Sequence, residues 1–229
     1  MAEELKIAKL KTGKDRISSL PEQAINKILG SLPIRDAIST SFLSKRWRYK
    51  WRSMSDLIFH SDSFSRSERV PPSSFTRTYL SKVHRILFFH RGDIQMFKFD
   101  SSDSKVINSE VDLWLDYLVD ASVQQLCEEE DGTSLSTSDE FWNYQRNFSS
   151  SRFDNLKVFD ITNVHGSKSE LRFVKYILGK APLLEVSNIK IDWSTIAFGE
   201  RKMSDILIQL LSFERISNAK VIIDEPEAN

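Results

Sequence analysis

Cysteine is nearly absent. Cys127 is the single one in 229 residues, so no disulfide closes within the chain, and a reducing compartment is its natural setting. Alone, it reads as a small packing residue. Glycine is scarce too. The seven, at Gly13, Gly30, Gly92, Gly132, Gly166, Gly179 and Gly199, are scattered and build no phosphate-cradling loop. Histidine is limited to His60, His84, His90 and His165, with neither an HExxH pattern nor Cys/His ligand spacing, so no metal site is expected. No acid, base or nucleophile stands out, and the expected catalytic, metal and cofactor-binding sets are all none. Apolar runs fall well short of the roughly 18 residues that span a bilayer. Met1-Ala2-Glu3-Glu4 is charged and lacks an apolar core, which predicts no secretory leader.

What is present is an ordinary soluble composition, 40% hydrophobic and 28% charged, with charge unevenly distributed. Residues 1–70 hold 14 Lys/Arg against 8 Asp/Glu; residues 71–229 hold 18 against 24. The first 70 residues are about +6 and the rest about −6, an asymmetry that points to different partners at the two ends or to ordinary solvated faces.

The richest stretch is Leu20-Pro21-Glu22-Gln23-Ala24-Ile25-Asn26-Lys27-Ile28-Leu29-Gly30-Ser31-Leu32-Pro33. Ser19 and Glu22 match a capping box, and Pro21 suits a first helical turn. Ala24, Ile25, Ile28, Leu29 and Leu32 mark one broad helix face, which Leu32-Pro33 ends. A second short helix follows through Ala37 and Ile38. Leu43, Trp47 and Trp51, spaced i, i+4, i+8, predict a third, surrounded by Lys45, Arg46, Arg48, Lys50 and Arg52. Such a unit is too small for a good core of its own and is expected to lean on a partner.

Residues 1–14 read as a flexible arm, 15–55 as the helical unit and 56–74 as a linker. Beyond it, strand candidates (Ile94–Phe99, Val123–Leu126, Leu156–Ile161, Leu183–Ile191, Val221–Ile223) alternate with helix candidates (Phe75–Phe88, Val111–Asp120, Glu170–Gly179, Ser204–Phe213). Gly179 reads as a helix-terminating glycine ahead of Pro182. The first four strand starts lie about 30 residues apart, near the upper end of a repeat period of roughly 20–29. Residues 127–150 form an acidic, polar loop between repeat-like units over 75–126 and a C-terminal part over 151–229. The closing helix and strand read as the cap that a repeat array requires.

On these residues, 15–51 resemble an F-box: Leu20-Pro21, Ile25, Ile28-Leu29, Leu32-Pro33, Asp36-Ala37 and Leu43-Ser44-Lys45-Arg46-Trp47. The C-terminal part is similar to plant F-box proteins with leucine-rich repeats and an FBD segment, through Leu171–Leu184 and through Leu210-Leu211-Ser212-Phe213-Glu214-Arg215 leading to Ala219-Lys220-Val221-Ile222. The resemblance implies an α+β or α/β chain: a three-helix F-box, then a short irregular leucine-rich-repeat-like solenoid with an FBD-like cap. It implies a non-catalytic substrate receptor of an SCF-type ubiquitin ligase, cytoplasmic or nuclear. The F-box would dock on a Skp-family adaptor, and through it on cullin and RING subunits, and the repeats would present a protein substrate. Carried over by position, the adaptor contacts would be Leu20, Pro21, Ile25, Ile28, Leu29, Leu32, Pro33, Leu43 and Trp47. The repeat region is shorter than such proteins usually carry. The alternative reading is a nucleic-acid binder using the basic helix 45–52.

Overall fold

The computed structural model describes residues 16–60, 72–100, 110–129, 152–196 and 203–224. The expected flexible arm and most of the acidic loop lie outside them. The N-terminal unit contains α1 (Glu22–Gly30), α2 (Ile34–Ser39) and two 3₁₀ turns, Thr40–Phe42 and Lys50–Ser53. Then come β1 (Asp56–Phe59), α3 (Pro72–Phe89), β2 (Met96–Asp100), α4 (Glu110–Asp120) and β3 (Gln125–Glu129). The last part is β4 (Val158–Val164), α5 (Lys168–Lys180), β5 (Val186–Ile191), α6 (Trp193–Ile196), α7 (Met203–Ser212) and β6 (Lys220–Ile223).

The six strands form one sheet in chain order, β1 to β6, and every pair is parallel. Parallel crossovers are almost always right-handed, so a sheet that advances one strand at a time in one direction gathers its crossover helices on one face. Burial alternates accordingly. Leu57, Phe97, Leu126, Phe159, Ser187 and Val221 share one register row, and Phe59, Phe99, Glu128, Ile161, Ile189 and Ile223 share a second. All but the two β6 members are buried. Helix residues close over these rows: Trp114 meets Phe97 and Phe99 edge-on, and Phe173 meets Phe159. The row between them, Ile58, Lys98, Cys127, Asp160, Asn188 and Ile222, lies on the opposite, half-buried face. There Asn188 Nδ2 donates to Asp160 Oδ1 at 2.6 Å, and Cys127 Sγ to Asp160 Oδ2 at 3.6 Å.

The α/β architecture agrees with the expected alternation, and each strand and helix proposed beyond residue 75 has its counterpart. Equivalent positions Met96, Gln125, Val158, Val186 and Lys220 are roughly 30 residues apart. β1 was not among the strand candidates; it begins the stretch read as linker, because Leu57 and Phe59 are fully buried. Gly179 does not end its helix, which runs on to Lys180 with Ala181 as its C-cap. A bulge between Ile161 and Val164 interrupts the β4–β5 ladder. Asn163 sits in it at φ 54°, a left-handed conformation that Asn tolerates better than most residues.

The sharpest tie in the C-terminal part precedes α5. Ser167 Oγ accepts the Glu170 amide at 3.3 Å, and the Glu170 carboxylate accepts the Ser167 amide at 2.6 Å. This reciprocal capping box satisfies two helix-end donors. Gly166 comes just before it at φ 75°, and a Cβ there would lie 2.4 Å from Ile206 Cδ1. Glycine is required both for the turn and for the approach of α7.

Candidate functional site

The N-terminal unit starts from two prolines. Pro21 and Pro33 are the N-caps of α1 and α2, at φ −57° and −54°, close to the angle the pyrrolidine ring imposes. The expected Ser19–Glu22 capping box does not form. Pro21 takes the cap position without a side-chain bond, Ser19 Oγ donates to the Arg16 carbonyl at 2.9 Å, and Glu22 pairs with Lys50. The Lys50 ammonium holds the Glu22 carboxyl below its ordinary range and links α1 to the second 3₁₀ turn.

The third helix expected over Leu43–Trp51 does not form either. Residues 45–49 are turns between the two 3₁₀ segments. Serine and threonine here compete for backbone acceptors: Ser39 Oγ donates to the Arg35 carbonyl at 3.0 Å and Thr40 Oγ1 to that of Ala37 at 2.6 Å. The chain leaves α2 in a tighter turn, and Leu43 parts from the two tryptophans. Trp47 and Trp51 are buried, whereas Leu43 is 55% exposed. Trp47 Nε1 donates to the Ile17 carbonyl at 3.3 Å and Arg46 Nη1 to that of Ser18 at 2.7 Å, which ties the incoming chain to the turn. With no helix over 45–49, no recognition helix of the kind that enters a DNA groove presents these basic residues.

The nine residues proposed from sequence divide into two sets. Ile25, Leu29 and Trp47 are buried in the chain's own core, and Leu20 and Leu32 pack against it half-buried. Pro21, Ile28, Pro33 and Leu43 are exposed. Reading the sequence missed Ile17, Phe42 and Tyr49, which are 46%, 91% and 58% exposed. Among the described residues, half of the large apolar side chains that stand exposed belong to this unit: Ile17, Ile28, Phe42, Leu43 and Tyr49. Single exposed apolar residues are normal; here five fall within a few dozen residues of sequence. Phe42 had a signal in sequence, as an aromatic beside Leu43 in a polar run.

The unit does not stand alone. Ile25, Leu29, Ile34, Trp51 and Met54 belong to the same buried cluster as Leu57 and Phe59 of β1. Beneath them His90 is 1% exposed. Its Nε2–H donates to the Met54 carbonyl at 2.8 Å, and Nδ1 accepts from the Tyr117 hydroxyl at 3.2 Å. A carbonyl only accepts, so Nε2 carries a proton, and in the neutral ring Nδ1 is then the acceptor. Burial lowers its pKa, against the pull of the Met54 bond. One ring thus joins the N-terminal unit, the end of α3, and α4.

These features define a small helical unit that shares its core with the first strand of a parallel α/β sheet, and comparison with known proteins gives the class a name. Residues 17–59 match the F-box domain and residues 154–189 match the FBD family: the chain carries an F-box followed by an FBD. The F-box match runs through β1, and the FBD match covers the β4–α5–β5 unit to Ile189, leaving Leu210–Ile222 outside it. The chain is 37% identical over 114 residues to an F-box/FBD/LRR-repeat protein of Arabidopsis thaliana, covering 49% of this chain and 26% of that one. An F-box/LRR-repeat protein of the same plant is 31% identical over 114 residues (49% and 22%), and an FBD-associated F-box protein 34% over 113 (49% and 26%). The matched region therefore spans about a quarter of each relative's length.

Proposed function

We propose that this chain is the substrate-recognition subunit of an SCF-type ubiquitin ligase. The F-box docks on a Skp-family adaptor, and through it on cullin and RING subunits. Work in the cytoplasm or nucleus fits that role, and no helix among the described residues is long and apolar enough to cross a membrane. The chain itself performs no chemistry in this reading; ubiquitin transfer belongs to other subunits.

The observation that carries the reading is the exposed apolar set on the F-box, with Phe42 at 91% exposure. Burying apolar surface contributes about 25 cal/mol per Å², so covering Phe42, Leu43, Ile28 and Ile17 favours a partner. Pro21 and Pro33 belong to the proposed contact as exposed helix starts. Leu20, Ile25, Leu29, Leu32 and Trp47 support it from beneath by fixing the geometry of α1 and the turn. The strand–helix units, advancing in chain order, support a short leucine-rich-repeat-like solenoid. Its half-buried sheet face, with the Asp160–Asn188 pair, is the surface we assign to the target protein.

Co-expression with a Skp-family adaptor followed by size-exclusion chromatography tests the docking. We expect a one-to-one complex that is lost in the Phe42→Asp/Leu43→Asp double variant while circular dichroism stays unchanged. No complex with the unaltered chain, or a double variant that still co-elutes fully, would overturn the assignment.

A further inference from the structure

Among the described residues β6 is the last strand of the sheet, with β5 on one side and an open edge on the other. Val221 and Ile223, its members of the two helix-facing rows, are half-buried, whereas every other member of those rows is buried. The crossover helix into β6, α7, exposes Ile208 and Leu211, at 64% and 62%. Open edge strands are usually blunted by proline, bulges or charges within them. β6 has neither proline nor bulge, and its charges stand at its two ends, Lys220 first and Asp224 just after.

The ladder shows which backbone groups face outward. The Lys220 and Asp224 amides donate to the Glu185 and Ile189 carbonyls, at 2.9 and 3.3 Å. Backbone groups alternate sides along a strand, so the N–H and C=O of Val221 and Ile223 point away from β5. The Trp193 indole donates to the Asp224 carbonyl at 2.9 Å and fixes the end of the strand. The segment from Lys220 to Asp224 is complementary to itself when reversed. With Val221 opposite Ile223 of an antiparallel copy, all the outward groups of these two residues bond. Ile222 then faces its own counterpart, and each Lys220 stands opposite an Asp224. The neighbouring registers that keep the outward groups paired set Lys220 or Asp224 against Ile222 instead.

We propose that the β6 edge binds a second copy of this chain, the two β6 strands pairing antiparallel about a two-fold axis at Ile222. Such a contact is isologous and closed, so it stops at two chains. Opposite charges directly across a strand pair favour this register, and the Val221–Ile223 pairs bury apolar surface on the helix side. The axis is perpendicular to the sheet, so the helices of both copies lie on the same face. Across the joint the two α7 helices are two strand spacings apart, roughly 10 Å, which is a helix-packing distance. Ile208 and Leu211 are the apolar side chains that α7 has left for that contact.

Sedimentation velocity of the full chain, from about 1 μM to 1 mM, covers the affinities of small interfaces. The mean mass is expected to climb with concentration from that of one chain toward that of two. It should do so equally in Phe42→Asp/Leu43→Asp, which removes the apolar face of the F-box. Lys220→Asp and Asp224→Lys each set like charges opposite one another and are expected to weaken the dimer about tenfold. The double exchange Lys220→Asp/Asp224→Lys is expected to restore it. Both side chains are exposed, so these variants keep the fold. Val221→Pro removes an outward N–H, leaves the β5 ladder intact and is expected to abolish the dimer; the charge exchanges decide the outcome if it does not fold. A chain that stays monomeric throughout would overturn the proposal. A dimer that survives in folded Val221→Pro, or is lost in Phe42→Asp/Leu43→Asp, would overturn its place. Single exchanges without effect, or a double exchange that fails to restore the dimer, would overturn the register.

Discussion

The F-box and the β4–α5–β5 unit reach stability by different routes. The F-box has short helices, proline caps without side-chain bonds, two 3₁₀ turns and a cluster of exposed apolar residues; it shares its core with β1 and has His90 beneath it. The β4–α5–β5 unit has a 13-residue helix, a complete capping box and a glycine fitted against a neighbouring helix. Its apolar residues face inward almost throughout, Leu183 being an exception at 56%. A segment that must dock keeps apolar surface outside and depends on neighbours for its core, whereas a stacking unit spends its apolar residues on internal packing.

The comparison can be broken at its strongest points first. Trp47→Ala empties a site that is 2% exposed and is expected to cost about 3–5 kcal/mol, measured by urea unfolding. If the F-box were held only by its partner, this loss would be far smaller. Gly166→Ala forces a side chain into a φ of 75° with its Cβ 2.4 Å from Ile206. Backbone strain of about 1–3 kcal/mol adds to overpacking of similar size, so about 2–6 kcal/mol is expected. Ile206→Ala is itself destabilising, because Ile206 is 1% exposed; in that background the added cost of Gly166→Ala should shrink to the strain part. Ser167→Ala removes one half of the capping box and is expected to cost about 1 kcal/mol; Ser19→Ala, outside any cap, should leave stability within about 0.5 kcal/mol.

The smallest effect is pH-dependent. His90 has a folded pKa below its ordinary value of 6.5, so the unfolded chain binds the proton more readily. Its stabilising contribution is complete above about pH 6.5, falls as the pH drops below that, and levels off beneath the folded pKa. Unfolding curves of the unaltered chain and of His90→Gln should therefore converge on acidification. A gap that stays constant between pH 7 and 5 would argue against a buried neutral ring.

Much of this was legible from residue patterns. The prolines at 21 and 33 mark helix starts because the ring fixes φ, and Val111–Asp120 and Glu170–Gly179 show their inward faces through spacing alone. Other features were not. Ser19 and Glu22 have the right spacing for a capping box, yet Glu22 takes Lys50, 28 positions away, and no local rule ranks that pair higher. Leu43, Trp47 and Trp51 have helical spacing, but side-chain bonds from Ser39 and Thr40 and the anchor of Trp47 to Ile17 redirect the chain. β1 was hidden because its four residues run straight on from the helical unit into the serine-rich stretch read as linker.

The F-box, the FBD and the alternation of strands and helices were determined by sequence alone, because periodicity and punctuation act over a few residues. Which apolar residues stay outside was decided only by tertiary structure. Leu43 and Trp47 look equivalent by spacing, and one is exposed while the other is buried. A cavity lined by residues as distant in sequence as Ile38, Trp51 and Phe89 exists only because α2, the second 3₁₀ turn and α3 converge. Burial and the meeting of remote side chains are properties of distances between segments, and those distances are set by packing of the common core.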